Sequence, residues 1–144
     1  MLIREIKNTE MKEALSLIWK VFLEFESKDY TEEGINEFKR TIDNNDWVND
    51  RDFYGAFDNN KLLGVIATKD KSHISLFFVD GKYHGQGIGR SLYEKVKSLN
   101  DKDYFTVNSS LYAHEIYKHI GFIDLDKEQC VNGLRFYPMK IDLK

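Results

Sequence analysis

The sequence predicts one α/β domain of the α+β kind, spanning residues 1–144, with a central mixed, mostly antiparallel sheet of about six to seven strands flanked by about four helices. Three observations carry that expectation. At 144 residues with 42% apolar side chains, the chain can bury one sizeable core without subdividing. The hydrophobic spacing is helical near the N-terminus, switches to a period of two from Phe53 to Val79, and returns to helical spacing after Gly89. The period-two region divides into three short runs separated by turn residues, which is the pattern of an antiparallel meander.

Taken in order, Leu2 to Ile6 alternates as a first strand. Asn8-Thr9 starts a helix whose apolar face is Met11, Leu15, Ile18, Val21, Phe22 and Phe25. Ser27-Lys28-Asp29-Tyr30 interrupts it, and Thr31 opens a second helix carrying Ile35, Phe38 and Ile42. Asn44-Asn45-Asp46 is expected to end that helix. Phe53–Phe57 and Leu62–Ala67 form a hairpin across Asp58-Asn59-Asn60, and Asp70-Lys71 turns into a third strand, His73–Val79. A helix from Arg90 to Asn100 follows, then a short strand at Tyr104–Val107. Glu115–Ile120 is helical and stops at Gly121. Phe122–Leu125 and Leu134–Ile141 close the chain as a strand pair.

The most informative stretch is His84-Gly85-Gln86-Gly87-Ile88-Gly89, between the third meander strand and a helix. Strand, glycine-rich turn, then helix is a phosphate-holding layout. Glycine lets the backbone approach an anion closely, and the free N–H groups of the first helical turn face it. A P-loop requires Lys-Ser/Thr after the last glycine of a longer loop, and Arg90-Ser91 does not meet that spacing. A dinucleotide-binding turn requires G-x-G-x-x-G, whereas the glycines here are Gly85, Gly87 and Gly89. The spacing leaves a phosphate-holding turn of another kind, or a glycine-rich connector with no ligand.

Bulk composition narrows the function further. The net charge is −3 with Lys and Arg scattered, so no basic stripe suits nucleic acid. Cys130 is alone, which excludes an internal disulfide framework and fits a reducing, cytoplasmic setting. No apolar run is long enough for a membrane span, and the N-terminus lacks the apolar core of a signal peptide. The four histidines and the cysteine have no metal-ligand spacing, so no metal is expected.

At these residues the chain resembles the GNAT superfamily of acetyl-CoA-dependent N-acetyltransferases. The family's acyl-CoA motif is Gln or Arg, two residues, Gly, one residue, then Gly or Ala. His84-Gly85-Gln86-Gly87-Ile88-Gly89 is similar to it, with His84 in the first place. A second family motif, Asn at a strand end, then a helix with Tyr and Gly-Phe, is matched by Asn108 and by Tyr117-Lys118-His119-Ile120-Gly121-Phe122. The resemblance implies acetyl-CoA as acyl donor. Phe77, Phe78 and Val79 would hold the pantetheine arm through backbone groups, and one N–H there would polarise the thioester carbonyl. His84, Gly85, Gln86, Gly87, Ile88, Gly89 and Arg90 would hold the diphosphate, and Asn108 the pantetheine amides. Tyr117 would protonate the departing thiolate, since a phenol and a thiol are close in basicity. His73, on one strand face with Ser75, Phe77 and Val79, is the candidate base, with Glu24, Glu26 and Glu33 as rivals.

The resemblance implies that the acceptor is selected by the first helices and the late strands, and within the aromatic and acidic segment from Phe22 to Glu33 the binding candidates are Phe25, Glu26 and Tyr30. Such a wall suits a cationic amine on an apolar body, in a small molecule or a peptide. Cys130 lies outside both motifs, which favours direct attack in a ternary complex over an acetyl-cysteine route. The alternative is a non-catalytic acyl-CoA-binding or sensing module, which would need the glycine turn but neither acid nor base. The resemblance also implies that a homodimer would form through the late strands, at Phe136-Tyr137-Pro138-Met139.

Overall fold

The first strand, β1 (Leu2–Glu5), pairs antiparallel with β2 (Asp52–Asp58), so the helices between them are an excursion across one face of the sheet. A computed structural model describes residues 1–144. The excursion holds α1 (Met11–Val21), α2 (Glu32–Asp43) and the one-turn α3 (Asn45–Asn49). Then come β3 (Lys61–Lys69), β4 (His73–Val79), α4 (Ile88–Leu99), β5 (Tyr104–Ser109) and α5 (His114–Ile120). The chain closes with β6 (Ile123–Asp124), β7 (Gln129–Val131) and β8 (Leu134–Asp142). The sheet order is β1-β2-β3-β4-β5-β8-β6, with β7 added to β8. The eight strands exceed the six to seven expected, and the five helices the four, because β7 and α3 are too short to show a period.

Every pairing is antiparallel except β4 with β5. That parallel pair is held only at His73↔Thr106 and Ile74↔Val107. Beyond it, β4 stays paired to β3 as far as Val79, while β5 stays paired to β8 as far as Ser109. Each half of the sheet keeps its own ladder, so the halves part at this seam and leave a wedge between them. Asp80 N–H donates to the Leu63 carbonyl at 2.9 Å. The alternation of an extended strand therefore turns the backbone of Phe78 toward β3 and that of Phe77 and Val79 toward the wedge.

Two cores sit on the two sheet faces. Ile18, Phe22, Ile42, Leu76 and Phe78 belong to the one under α1 and α2. Leu92, Val96, Phe105, Tyr117 and Met139 belong to the one under α4 and α5. β4 serves both, because Leu76 and Phe78 point one way while Phe77 and Val79 pack the other. After Val21 the first helix widens into a π turn over Phe22–Glu26, which buries Phe22 and Glu26 together.

Two local expectations change. Asn44 does not simply end α2: its side chain accepts from Trp47 N–H at 3.1 Å and caps α3. The late strands form not one pair but a hairpin as well, β7–β8, turning at Asn132 and Gly133 with φ of 52° and 82°. This hairpin lies so close to the start of α2 that a Cβ on Gly34 would overlap the Gly133 carbonyl. Glycine to alanine inside a helix ordinarily stabilises, by about 1 kcal/mol. Gly34→Ala is expected to reverse that sign and lower stability by about 1–3 kcal/mol through overpacking, read from urea denaturation. An unchanged or raised midpoint would contradict the contact.

Candidate active site

One arm of the wedge is built by the end of β4, the glycine turn and α4. Gly85 and Gly87 have φ of +79° and +81°, and a Cβ on either would meet nothing within 4 Å. Left-handed backbone, not crowding, is what requires glycine at both positions. Gly87 is the N-cap of α4 and offers no side chain to its first turn, so those N–H groups face outward. His84 Nε2–H donates to the Val79 carbonyl at 2.8 Å and fastens the turn to the strand end. A cavity of about 380 Å³ runs along this arm past Val79, His84, Gly87 and Arg90 to Tyr117.

The other arm is a cavity of about 270 Å³ under α2 and the β7–β8 hairpin. Its walls include Phe22, Tyr30, Phe38, Trp47 and Phe136. Phe22 and Phe38 stack at 4.0 Å, and Phe22 stacks on Tyr30 at 5.6 Å. The hairpin is fastened here by the Tyr30 hydroxyl, which donates to the Arg135 carbonyl at 3.3 Å, and by Arg135, which donates to the Asp29 carbonyl at 3.2 Å. Both cavities are lined by Glu26, Phe77, Phe78, Ala113 and Tyr117, so they meet at those residues.

Two of the shared residues are ionisable. Glu26 is buried, and burial pushes its carboxyl up to about 7; the Ser110 hydroxyl draws it back and the Asp29 charge adds to the rise. Ser110 Oγ accepts from Ala113 N–H at 3.1 Å, which leaves its own proton free for the carboxylate. Tyr117 is buried and its phenol is held well above its ordinary value, first by burial and then by the Glu26 and Tyr93 charges. It therefore stays protonated throughout the neutral range. Gly121, with φ of +119°, ends α5 and returns Phe122 against Tyr117, their ring centres 5.2 Å apart. The site holds a carboxylate poised near neutrality and a protonated phenol at one junction.

Of the residues singled out from the sequence, Phe77, Phe78, Val79, His84, Gly85, Gly87, Ile88, Gly89, Arg90 and Tyr117 line the first cavity. Gln86 is exposed in the turn and lines neither. Asn108 and Tyr30 line the second cavity. Phe25 lines neither, and packs instead on the His84 and Tyr112 rings at 4.9 and 5.4 Å, bracing the glycine turn. His73 also lines neither. It stands where β4 and β5 are still paired, at 2.8 Å from the Thr106 hydroxyl, and burial and Arg51 hold its imidazole below its ordinary value. Among the rivals, Glu24 and Glu33 are exposed, and only Glu26 is turned inward, by the π turn. Ser110 and the β7–β8 hairpin are the parts that the sequence reading missed; Asn132-Gly133 is the turn signal that marks the hairpin.

A family model described as an acetyltransferase (GNAT) domain matches residues 26–143. The chain belongs to this family. No curated protein matches the sequence. Among solved structures, a GCN5-related N-acetyltransferase from Rhodopseudomonas palustris is similar at 18% identity and a TM-score of 0.87, over 99% of this chain and 95% of that one. The PaiA N-acetyltransferase of Thermoplasma acidophilum, in complex with coenzyme A, is 18% identical with a TM-score of 0.73 and 98% of both chains covered. The aminoglycoside 6'-N-acetyltransferase of Enterococcus faecium is 15% identical with a TM-score of 0.65, over 100% of this chain and 98% of that one. At these identities the likeness is one of fold.

The Glu26 burial has a consequence that needs no substrate. The folded chain holds this proton more tightly than the unfolded chain does, so stability falls as pH rises from the ordinary carboxylate range and levels off above about 7. Glu26→Gln removes the loss. The variant is expected to match wild type near pH 4 and to exceed it by about 2–3 kcal/mol at pH 8 in urea titrations. A difference independent of pH would contradict a buried, titrating carboxyl.

Proposed function

We propose that residues 1–144 act as one N-acetyltransferase that moves the acetyl group of acetyl-CoA to a primary amine by direct attack in a ternary complex. The observation that carries this reading is the meeting of the two cavities at Glu26 and Tyr117. Membership of the GNAT family and the coenzyme A complex of the Thermoplasma neighbour support the donor's identity. The likeness to aminoglycoside acetyltransferases supports a small-molecule amine as acceptor. A cytoplasmic setting goes with the single free cysteine.

The diphosphate would lie against the glycine turn and the first N–H groups of α4, with Arg90 alongside. The pantetheine arm would extend β4 as an added strand on the backbone groups of Phe77 and Val79, with Asn108 across the wedge. An N–H on that open edge polarises the thioester carbonyl and stabilises the oxyanion that forms. The amine enters from the aromatic cavity, and its ammonium releases one proton to solvent before the neutral nitrogen attacks the thioester carbon. Glu26, whose value near 7 suits a base at neutral pH, takes the second proton from that nitrogen as the C–N bond forms. The tetrahedral intermediate then collapses, the C–S bond breaks, and the thiolate leaves with the Tyr117 proton. Phe25 and His84 act as positioning residues for the turn.

Calorimetric titration with acetyl-CoA tests the donor site. Micromolar binding is expected in wild type and its loss in Gly87→Glu, which places a negative side chain on strained backbone in the phosphate arm. Turnover tests the chemistry. Glu26→Gln is expected to lower kcat by about 10²–10⁴-fold and to abolish a rise of kcat through pH 7, with acetyl-CoA affinity unchanged. Tyr117→Phe is expected to lower kcat with little change in either substrate's affinity. Binding without turnover of any amine would leave only an acyl-CoA-binding module, and absence of binding by folded protein would overturn the reading altogether.

A further inference from the structure

The second cavity describes its own occupant. Its volume of about 270 Å³ lies below the range of roughly 300–1,000 Å³ usual for drug-sized ligands, and the transferring acyl group must share it. It is closed on one side by the β7–β8 hairpin, through Leu134, Arg135 and Phe136. Its middle is aromatic, with Phe38 against Phe22 and the Tyr30 and Trp47 rings beyond.

Of the charged groups on its lining, only Glu26 lacks a partner of opposite charge. At the junction stands Glu26, which has no cationic partner. The second lining carboxylate, Glu37, is engaged by Arg40, with Nη2 at 2.8 Å and Nε at 3.3 Å. Arg135 lines the hairpin side and is paired with Glu128 at 2.8 Å. Arg51 stacks on the Trp47 ring at 3.6 Å and donates to Ser75, another lining residue, at 3.0 Å. A ligand reaching away from Glu26 therefore meets aromatic faces, then Glu37 and Arg135, each already paired with Arg40 and Glu128. One ammonium finds an unpaired carboxylate in this cavity, and a second finds none to offset its desolvation.

Resting on the N-acetyltransferase reading, we infer that the acceptor is a compact monoamine carrying an aromatic body on a short alkyl arm, an arylalkylamine, and not a polycation such as an aminoglycoside or a polyamine. Its ammonium would face Glu26, and its ring would lie among Phe22, Phe38 and Tyr30.

The test compares turnover of 2-phenylethylamine and tryptamine with that of kanamycin, spermidine and a short peptide with a free N-terminus, by release of the CoA thiol. The arylalkylamines are expected to exceed each of the others by about 100-fold in kcat/KM, the worth of burying one ring. Thr41 lines only this cavity, and Thr41→Trp is expected to raise the KM for 2-phenylethylamine by about 10-fold or more with acetyl-CoA affinity unchanged, while Thr41→Val changes neither. Preference for kanamycin, spermidine or the peptide, or an inert Thr41→Trp that folds and binds acetyl-CoA, would overturn the arylalkylamine inference and leave an N-acetyltransferase. Failure of every amine, or of acetyl-CoA binding, would overturn both.

Discussion

The parting of β4 from β5 after two register pairs is the constraint on which the rest of the molecule depends. A parallel pair joined through a helical crossover has no short turn to hold it in register, so its length is set by what each strand does on its other side. Here β4 is committed to β3 as far as Val79 and β5 to β8 as far as Ser109, and the two ladders diverge. The result is an exposed strand edge inside a sheet, where unpaired backbone groups would normally be a liability. In this position they are what the proposed function uses, as an edge on which an extended ligand arm would add a strand.

Burial of Glu26 is the second constraint, and it works against stability. A carboxyl held near 7 by desolvation reports an environment that disfavours its charge, with Ser110 offsetting only part. The fold tolerates it because the π turn that aims Glu26 inward also seats Phe22 in the core. One helical irregularity thus buries an apolar ring and a carboxylate in the same turn. Tyr117 is anchored comparably, by the left-handed Gly121 that brings Phe122 against its ring.

Much of this was legible in the residues. The glycine turn was readable because Gly85 and Gly87 report backbone conformation directly, and positive φ at both is what the structure has. The meander was readable because a period of two survives both the hairpin at Asn59-Asn60 and the turn at Asp70-Lys71. His73 lies outside both cavities, because alternation gives the face of a strand but not the point at which its neighbour departs. Glu26 differs from Glu24 in standing four residues after Phe22 and eight after Ile18, on the buried face of the first helix, which is the signal in the residues that sets it apart. The β7–β8 hairpin escaped notice because Gln129–Val131 is too short and too exposed to show a strand period.

The proposed function requires donor and acceptor to converge on Tyr117 and Glu26 at the mouth of the strand wedge, and a crystal structure with bound coenzyme A tests that convergence most directly. The diphosphate is expected on the turn Gly85–Gly89, the pantetheine amides paired to the open edge of β4, and the sulfur within about 4 Å of the Tyr117 hydroxyl. Coenzyme A bound elsewhere, or a sulfur remote from Tyr117 with the wedge empty, would contradict it.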